Sequence, residues 1–296
     1  MNYICYKLKK ICRNRIFVPF WRSRRERWAR RNRIIAELSE QYLREMPVVV
    51  PEKCVPQRLP CEYVFSMWLQ GQDKAPLIVK SCWESIRRHS GKELVVLDAE
   101  SIGKWVELPP GFLDRWRKGR IKSCHVADLC RLELLWKYGG YWMDATDYMC
   151  HPMPEFIDRE PFFMYMSDEG WNFYIQNCFI RAYAHHPIVG AWRQILRDYW
   201  AQHTRAFDYF LPHRLFRHMV LSNARVADLF SQMPKICHDA TQIFWEQYRD
   251  EPFDGKLFRE ITAEGAFQKL EYRSLSAQTP RPGTFADYIV HGTIGR

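Results

Sequence analysis

Asp128, Arg131, Asp144 and Asp147 lie in one stretch of this chain, residues 123–147, which reads SCHVADLCRLELLWKYGGYWMDATD. Asp128 and Arg131 are three residues apart, a spacing that sets both on one helix face. Gly139 and Gly140 follow the last turn of that helix, where the chain needs positive φ and glycine supplies it without steric cost. Tyr141, Trp142 and Met143 suit a buried strand, and Asp144 stands at its carboxyl end. Ligands of open α/β sheets bind at that end. A carboxylate there suits a divalent cation and the phosphates it carries, because hard cations take oxygen ligands. An Asp-x-x-Asp pair alone also makes ordinary surface turns. The combination of an Asp-x-x-Arg helix, a Gly-Gly-Tyr-Trp-Met-Asp strand and a tryptophan on the first strand favours the functional reading.

These side chains require an α/β scaffold. Residues 61–69 alternate as a first strand, and Pro76 opens a helix whose apolar positions Ile78, Val79, Cys82 and Ile86 recur at helical spacing. Residues 93–97 form a second strand ending at Asp98, and strand, helix and strand in that order imply a parallel sheet. Residues 99–122, with Pro109, Pro110 and Gly111, are less regular. The carboxyl half alternates aromatic-rich helices, including 187–200 and 212–221, with loops. Residues 288–292, Tyr-Ile-Val-His-Gly, read as a strand ending in His-Gly.

The central segment resembles the capsular polysaccharide synthesis proteins, a branch near the clostridial-toxin-like glycosyltransferases of the GT-A fold. The resemblance is carried by Ala127-Asp128-Leu129-Cys130-Arg131 and Gly139-Gly140-Tyr141-Trp142-Met143-Asp144-Ala145-Thr146. It begins at Phe65-Ser66-Met67-Trp68-Leu69-Gln70-Gly71 and returns at Asn177-Cys178-Phe179-Ile180 and Asp208-Tyr209-Phe210-Leu211, covering roughly residues 60–250. It implies an α/β, Rossmann-like nucleotide-diphospho-sugar transferase fold of the GT-A kind with a helical, aromatic-rich carboxyl half. The implied activity is transfer of a sugar from a nucleotide-diphospho-sugar to a bacterial surface polysaccharide or glycolipid acceptor, retaining and metal-dependent with Mn²⁺ or Mg²⁺. Asp144, Asp128 and Arg131 are the implied catalytic group: Asp144 on the cation, Asp128 on donor-sugar hydroxyls, Arg131 on sugar or phosphate oxygens. Trp68, Gln70, Gly71 and Asn177 are the implied nucleotide-sugar contacts, with Trp68 stacking on the base or packing in the core. Asp144, Thr146, Asp147 and His291 are the candidate metal ligands. Where the wider group carries Asp-x-Asp, this chain has Asp144-Ala145-Thr146, so Thr146 offers a neutral oxygen. Asp147 points to the opposite face if the strand continues. His213 is a weaker site candidate, placed behind Pro212 at a helix start.

The chain has 296 residues, 47% hydrophobic and 26% charged, enough for one large α/β domain with a core. Of its net charge of +10, nearly all sits in residues 1–46, which hold thirteen basic and four acidic residues. Ile4, Tyr6, Leu8, Phe17, Phe20, Trp21 and Trp28 stand among those charges, a pattern suited to an anionic membrane surface. A basic helix packed on its own domain has the same composition. Nucleic acid is not expected, since no compact motif of that class accompanies the charge. The expected organisation is a basic amphipathic leader at 1–46, a Pro-rich linker at 47–60 and a glycosyltransferase domain at 61–296. The ten cysteines form no Cys-x-x-Cys, and no run is apolar enough to span a bilayer. Scattered free thiols suit a reducing compartment, so the expected location is cytoplasmic, peripheral on the inner face of the cell membrane. Two other classes use parts of the same residues. A metal-dependent phosphate hydrolase needs the acids but not Trp68 or Arg131. A non-catalytic basic interaction protein for membrane or nucleic acid acts through residues 1–46 and tolerates loss of Asp144.

Overall fold

The computed structural model describes residues 24–52, 55–60, 62–166, 175–263, 265–273 and 280–292. Expectations for residues 1–23, including the aromatic residues of the leader's first half, lie outside the described residues.

Among the described residues the first element is helix α1 (Arg24–Leu43). After the Pro-rich segment come β1 (Tyr63–Met67), α2 (Leu77–His89) and β2 (Glu93–Leu97). The short α3 (Phe112–Arg117) precedes α4 (Ser123–Tyr138), β3 (Gly140–Met143) and β4 (Asp147–Met149). Then follow α5 (Glu155–Arg159), β5 (Phe162–Phe163) and β6 (Phe179–Ala182). The carboxyl half contains α6 (Pro187–Gln202), α7 (Leu211–Ser222), α8 (Ala224–Gln232), α9 (Gly255–Thr262), β7 (Phe267–Lys269) and α10 (Phe285–Asp287).

A five-stranded sheet has the order β2-β1-β3-β6-β5, and β4 pairs with β7 in a separate two-stranded sheet. The strands β2, β1 and β3 run parallel, whereas β6 is antiparallel to both β3 and β5. This is a mixed α/β architecture of GT-A-like form with a helical, aromatic-rich carboxyl half. All four residues of β3 are buried, as a central strand covered on both faces requires. The helix α4 is buried nearly all round because α6 covers its outer side. There Glu133 takes Arg193 at 2.6 Å and Arg197 at 2.5 Å.

The Gly139-Gly140 pair joins α4 to β3 at positive φ, 63° and 89°. Each glycine also sits against backbone. A Cβ on Gly139 would stand 2.6 Å from the Ala184 nitrogen, and one on Gly140 would collide with the Tyr63 carbonyl oxygen. Both conformation and close approach therefore exclude a side chain.

At the amino edge of the parallel strands, buried Arg181 meets Glu62 at 2.6 Å, and the Tyr141 hydroxyl donates to Asp158 at 2.5 Å. Lys92 and Arg58 also pair with Asp158, at 3.1 and 2.6 Å. This edge is closed by ion pairs.

One segment departs from the sequence reading. Residues 288–292 form a helical turn of π type rather than a strand. Thr284 caps α10, whose last turn continues into it, and the Tyr288 ring stacks on Phe253 at 3.8 Å. The helix α1 buries Ile35, Ala36, Ser39 and Leu43. It packs on α7, with Glu40 on Arg217 at 2.8 Å and the Tyr42 hydroxyl on His203 at 2.6 Å. The Pro-rich segment is held as well: Gln57 bridges Ala184 through two backbone bonds of 2.9 Å.

Candidate functional site

Asp128 and Arg131 lie one turn apart on α4, and the Gly-Gly turn brings β3 back so that Arg131 meets Asp144 at its end. The Arg131 guanidinium then spans three neighbours. It donates to the Asn177 carbonyl at 2.6 Å and Asp144 Oδ1 at 3.2 Å, and pairs with Asp128 at 3.3 Å. Its plane lies 5.0 Å from the centre of the Trp142 ring. The Trp142 indole N–H donates to the same Asp144 oxygen at 2.8 Å. Asp128 is held further by the Asn177 amide at 3.2 Å and the His125 ring at 3.2 Å.

Past Asp144 the strand does not continue. The Asp147 N–H donates to the Asp144 carbonyl at 2.9 Å, closing a tight turn, and the Asp144 N–H returns to Asp147 Oδ2 at 3.0 Å. The reversal turns both carboxylates the same way, correcting the opposite-face expectation for Asp147. Into the space between them comes Lys269 of β7. Its Nζ lies 2.9 Å from Asp144 Oδ2 and 3.0 Å from Asp147 Oδ1. Asp147 and Lys269 are direct cross-strand partners, so the ladder itself sets this contact.

The charges shift one another. Burial penalises the Asp144 carboxylate, but Lys269 and then Arg131 outweigh it and hold the group below its usual range. Asp147 is fully buried, and burial pushes it up to about 7, with Asp144 adding to the rise and Lys269 opposing it. Burial works against the Lys269 ammonium, yet Asp144 and Asp147 reverse the balance and keep it protonated well above its usual value. His213 is buried nearby, and burial pushes its ring down to about 3.

A divalent cation at this place needs several free oxygen lone pairs. Here Asp144 Oδ1 is taken by Trp142 and Arg131, Asp144 Oδ2 and Asp147 Oδ1 by Lys269, and Asp147 Oδ2 by the backbone. Among the described residues, no group of three or more His, Cys, Asp or Glu is arranged to hold a metal ion. Thr146 lies in the turn and its carbonyl accepts from the Leu270 N–H at 2.8 Å. His291 is on the π turn, half exposed, with its Nδ1 2.7 Å from Asp287 Oδ1. The donor set does not fit a metal ion, because an ammonium and a guanidinium already occupy it.

The strands β1 and β3 run parallel, so Trp68, Gln70 and Gly71 leave the sheet on the same edge as Asp144. Trp68 is half-buried and meets Tyr272 edge to face, with centroids 5.3 Å apart. Gln70 is exposed, and Gly71 turns the chain at φ 95°. Tyr209, exposed at the rim, lies 6.4 Å from the His125 ring. A groove of about 520 Å³ lined by Trp105, Pro109, Phe112 and Lys137 shares none of these residues.

The sequence reading missed Lys269, His125 and the anchoring role of Trp142. Trp142 could have been found from its alternation with Asp144 on one strand. Lys269 had no local signal, since a lysine on a short strand is ordinary.

The family model described as capsular polysaccharide synthesis protein matches residues 15–289. The O-glycosyltransferase braB of Annulohypoxylon truncatum is 26% identical over 188 residues, which are 53% of this chain and 41% of that protein. The match thus spans less than half the length of this curated relative. Among solved structures, the PaToxG glycosyltransferase aligns with a TM-score of 0.39 at 13% identity, over 70% of this chain and 84% of that one.

Proposed function

The chain belongs to the capsular polysaccharide synthesis protein family, and from that premise we propose that it moves a sugar from a nucleotide-diphospho-sugar to a glycan or glycolipid acceptor. Family membership supports a glycosyltransferase-like function in general. The observation that carries the finer reading is the cluster of Asp128, Arg131, Asp144, Asp147 and Lys269 at the carboxyl edge of the parallel strands.

Glycosyl transfer separates charge: the leaving diphosphate gains negative charge and the anomeric carbon becomes oxocarbenium-like. A site for it needs cationic donors at the diphosphate and carboxylates near the sugar. In this reading Asp144 Oδ2, which takes a single bond from Lys269, accepts one more from a donor-sugar hydroxyl through its second lone pair, with Asp128 behind it. Arg131 holds both acids in one orientation, since its N–H fork is already bonded to them. Trp68, backed by Tyr272, offers a ring face for the base at the same edge. Retention at the anomeric carbon is part of the proposal and rests on the motif resemblance. A peripheral position on an anionic inner membrane face is also part of the proposal, and it rests on the basic leader, whose Arg30, Arg31, Arg33 and Arg44 are exposed.

The test is nucleotide release from a panel of nucleotide sugars, comparing the native chain with Asp144→Asn. Release from at least one donor, falling roughly a hundredfold in the variant, is expected for loss of one charged group in the transition state. No turnover of any donor, or an unchanged rate in the variant, overturns the reading.

A further inference from the structure

We propose that Lys269 is the resident cation of this site, its ammonium meeting the diphosphate of the donor in place of a divalent metal ion. The inference rests on the glycosyl-transfer reading and adds to it the group that receives the diphosphate.

Four observations carry it. The ammonium is centred on both acids, at 2.9 and 3.0 Å, where the strand reading placed a metal. It is anchored by backbone, because Lys269 is paired in register with Asp147 across the β4–β7 ladder. It keeps reach: its side chain is 26% exposed, and carboxylates take two of its three N–H bonds, leaving one for a ligand. Finally, Tyr272, three residues further along the same segment, packs against Trp68. One stretch of chain therefore serves both the charge and the aromatic face at this edge.

A metal ion entering here would meet an ammonium and a guanidinium and would have to strip each carboxylate of its donors. Lys269 needs no such exchange. As the anomeric C–O bond breaks, its electron pair passes to the β-phosphate oxygen, and the Lys269 ammonium balances that charge without giving up its proton. The acceptor hydroxyl oxygen forms the new C–O bond, and its proton goes to the departing diphosphate.

The experiment uses the full chain with UDP, GDP, ADP and CDP in calorimetry, once in EDTA and once in Mn²⁺. At least one nucleotide is expected to bind equally in both buffers. Lys269→Met should weaken that binding in EDTA by roughly a hundredfold, as removal of a buried charge partner does, while Lys269→Arg retains most of it. A separate arm follows Mn²⁺ alone by electron paramagnetic resonance. The native chain should leave the free-ion signal unchanged, and Lys269→Met, which bares Asp144 and Asp147, should capture the ion. Native binding that collapses in EDTA and returns with Mn²⁺, or Mn²⁺ capture by the native chain, overturns the proposal. If no nucleotide binds in either buffer, the glycosyl-transfer reading fails, and the Mn²⁺ arm still decides whether Lys269 holds the cation position. If Lys269→Met does not fold, the two native-chain comparisons decide it.

Discussion

Arg131 spends its guanidinium on Asp128, Asp144 and the Asn177 carbonyl, and packs its face on Trp142. That makes it a strut between helix and strand. Arg131→Ala leaves Asp128 a buried carboxylate without its cation, and breaking a buried pair from one side costs about 3 kcal/mol. Urea unfolding should show that loss, and Arg131→Lys should restore only part of it, since an ammonium cannot bridge three partners as a fork does. At this scale the sequence named Asp128, Arg131, Asp144 and Asn177, which the fold brings together because helix spacing and a strand end are local properties. It misread the direction of Asp147, since a four-residue turn and a continued strand look alike until the backbone bond from Asp147 to Asp144 is known. Lys269 was invisible for a different reason: its meaning comes from a strand pairing made far along the chain.

The elements were read with more success where a pattern is local. The strand at 93–97 has the bounds expected from its apolar run, and the helices after Pro187 and near Pro212 start within a residue of their prolines. The turn at 288–292 carries the strand-favouring run Tyr-Ile-Val, but its backbone follows the capped helix before it and docks on α2 through Ser81, whose hydroxyl donates to the Val290 carbonyl at 3.1 Å. Composition could not decide the leader, because a docked helix and a surface-binding one carry the same charges. In the structure α1 buries Ile35, Ala36 and Leu43 while Arg30, Arg31 and Arg33 stay outside. A chain starting at Met46 is therefore expected to lose at least about 3 kcal/mol of stability from these contacts. Chemical denaturation checks it, and an unchanged midpoint would make α1 an appendage. Gly140→Ala is expected to prevent soluble folding, since the added methyl meets the Tyr63 carbonyl at a positive φ. Soluble yield beside that of Gly119→Ala, which has positive φ but open space, separates the clash from the conformational strain.

Across the whole molecule, two buried histidines set an acid limit. Burial pushes His186 down to about 4 and His213 down to about 3 from an ordinary 6.5. The unfolded chain binds protons at these groups first, so their contribution is complete above pH 6.5 and is lost as pH falls toward 4, by up to about 1.4 kcal/mol per pH unit each. Asp147, raised to about 7, acts in the opposite sense between its ordinary 3.8 and 7. The measurement is accordingly a difference: His186→Phe, whose ring keeps the stack on Phe162, should melt with a shallower decline than the native chain between pH 6.5 and 4. Equal slopes would mean that His186 is not buried neutral. The separate β4–β7 sheet has one more consequence, which concerns the chain as it is made. Lys269 follows Asp147 by 122 residues, so a nascent polypeptide that has not reached β7 carries a buried-type Asp147 without its ammonium partner and β4 with an open edge. Such a product cannot close its own interior and stays open to chaperones and proteases. Native closure of the site thereby waits on the arrival of β7, long after its two acids have been made.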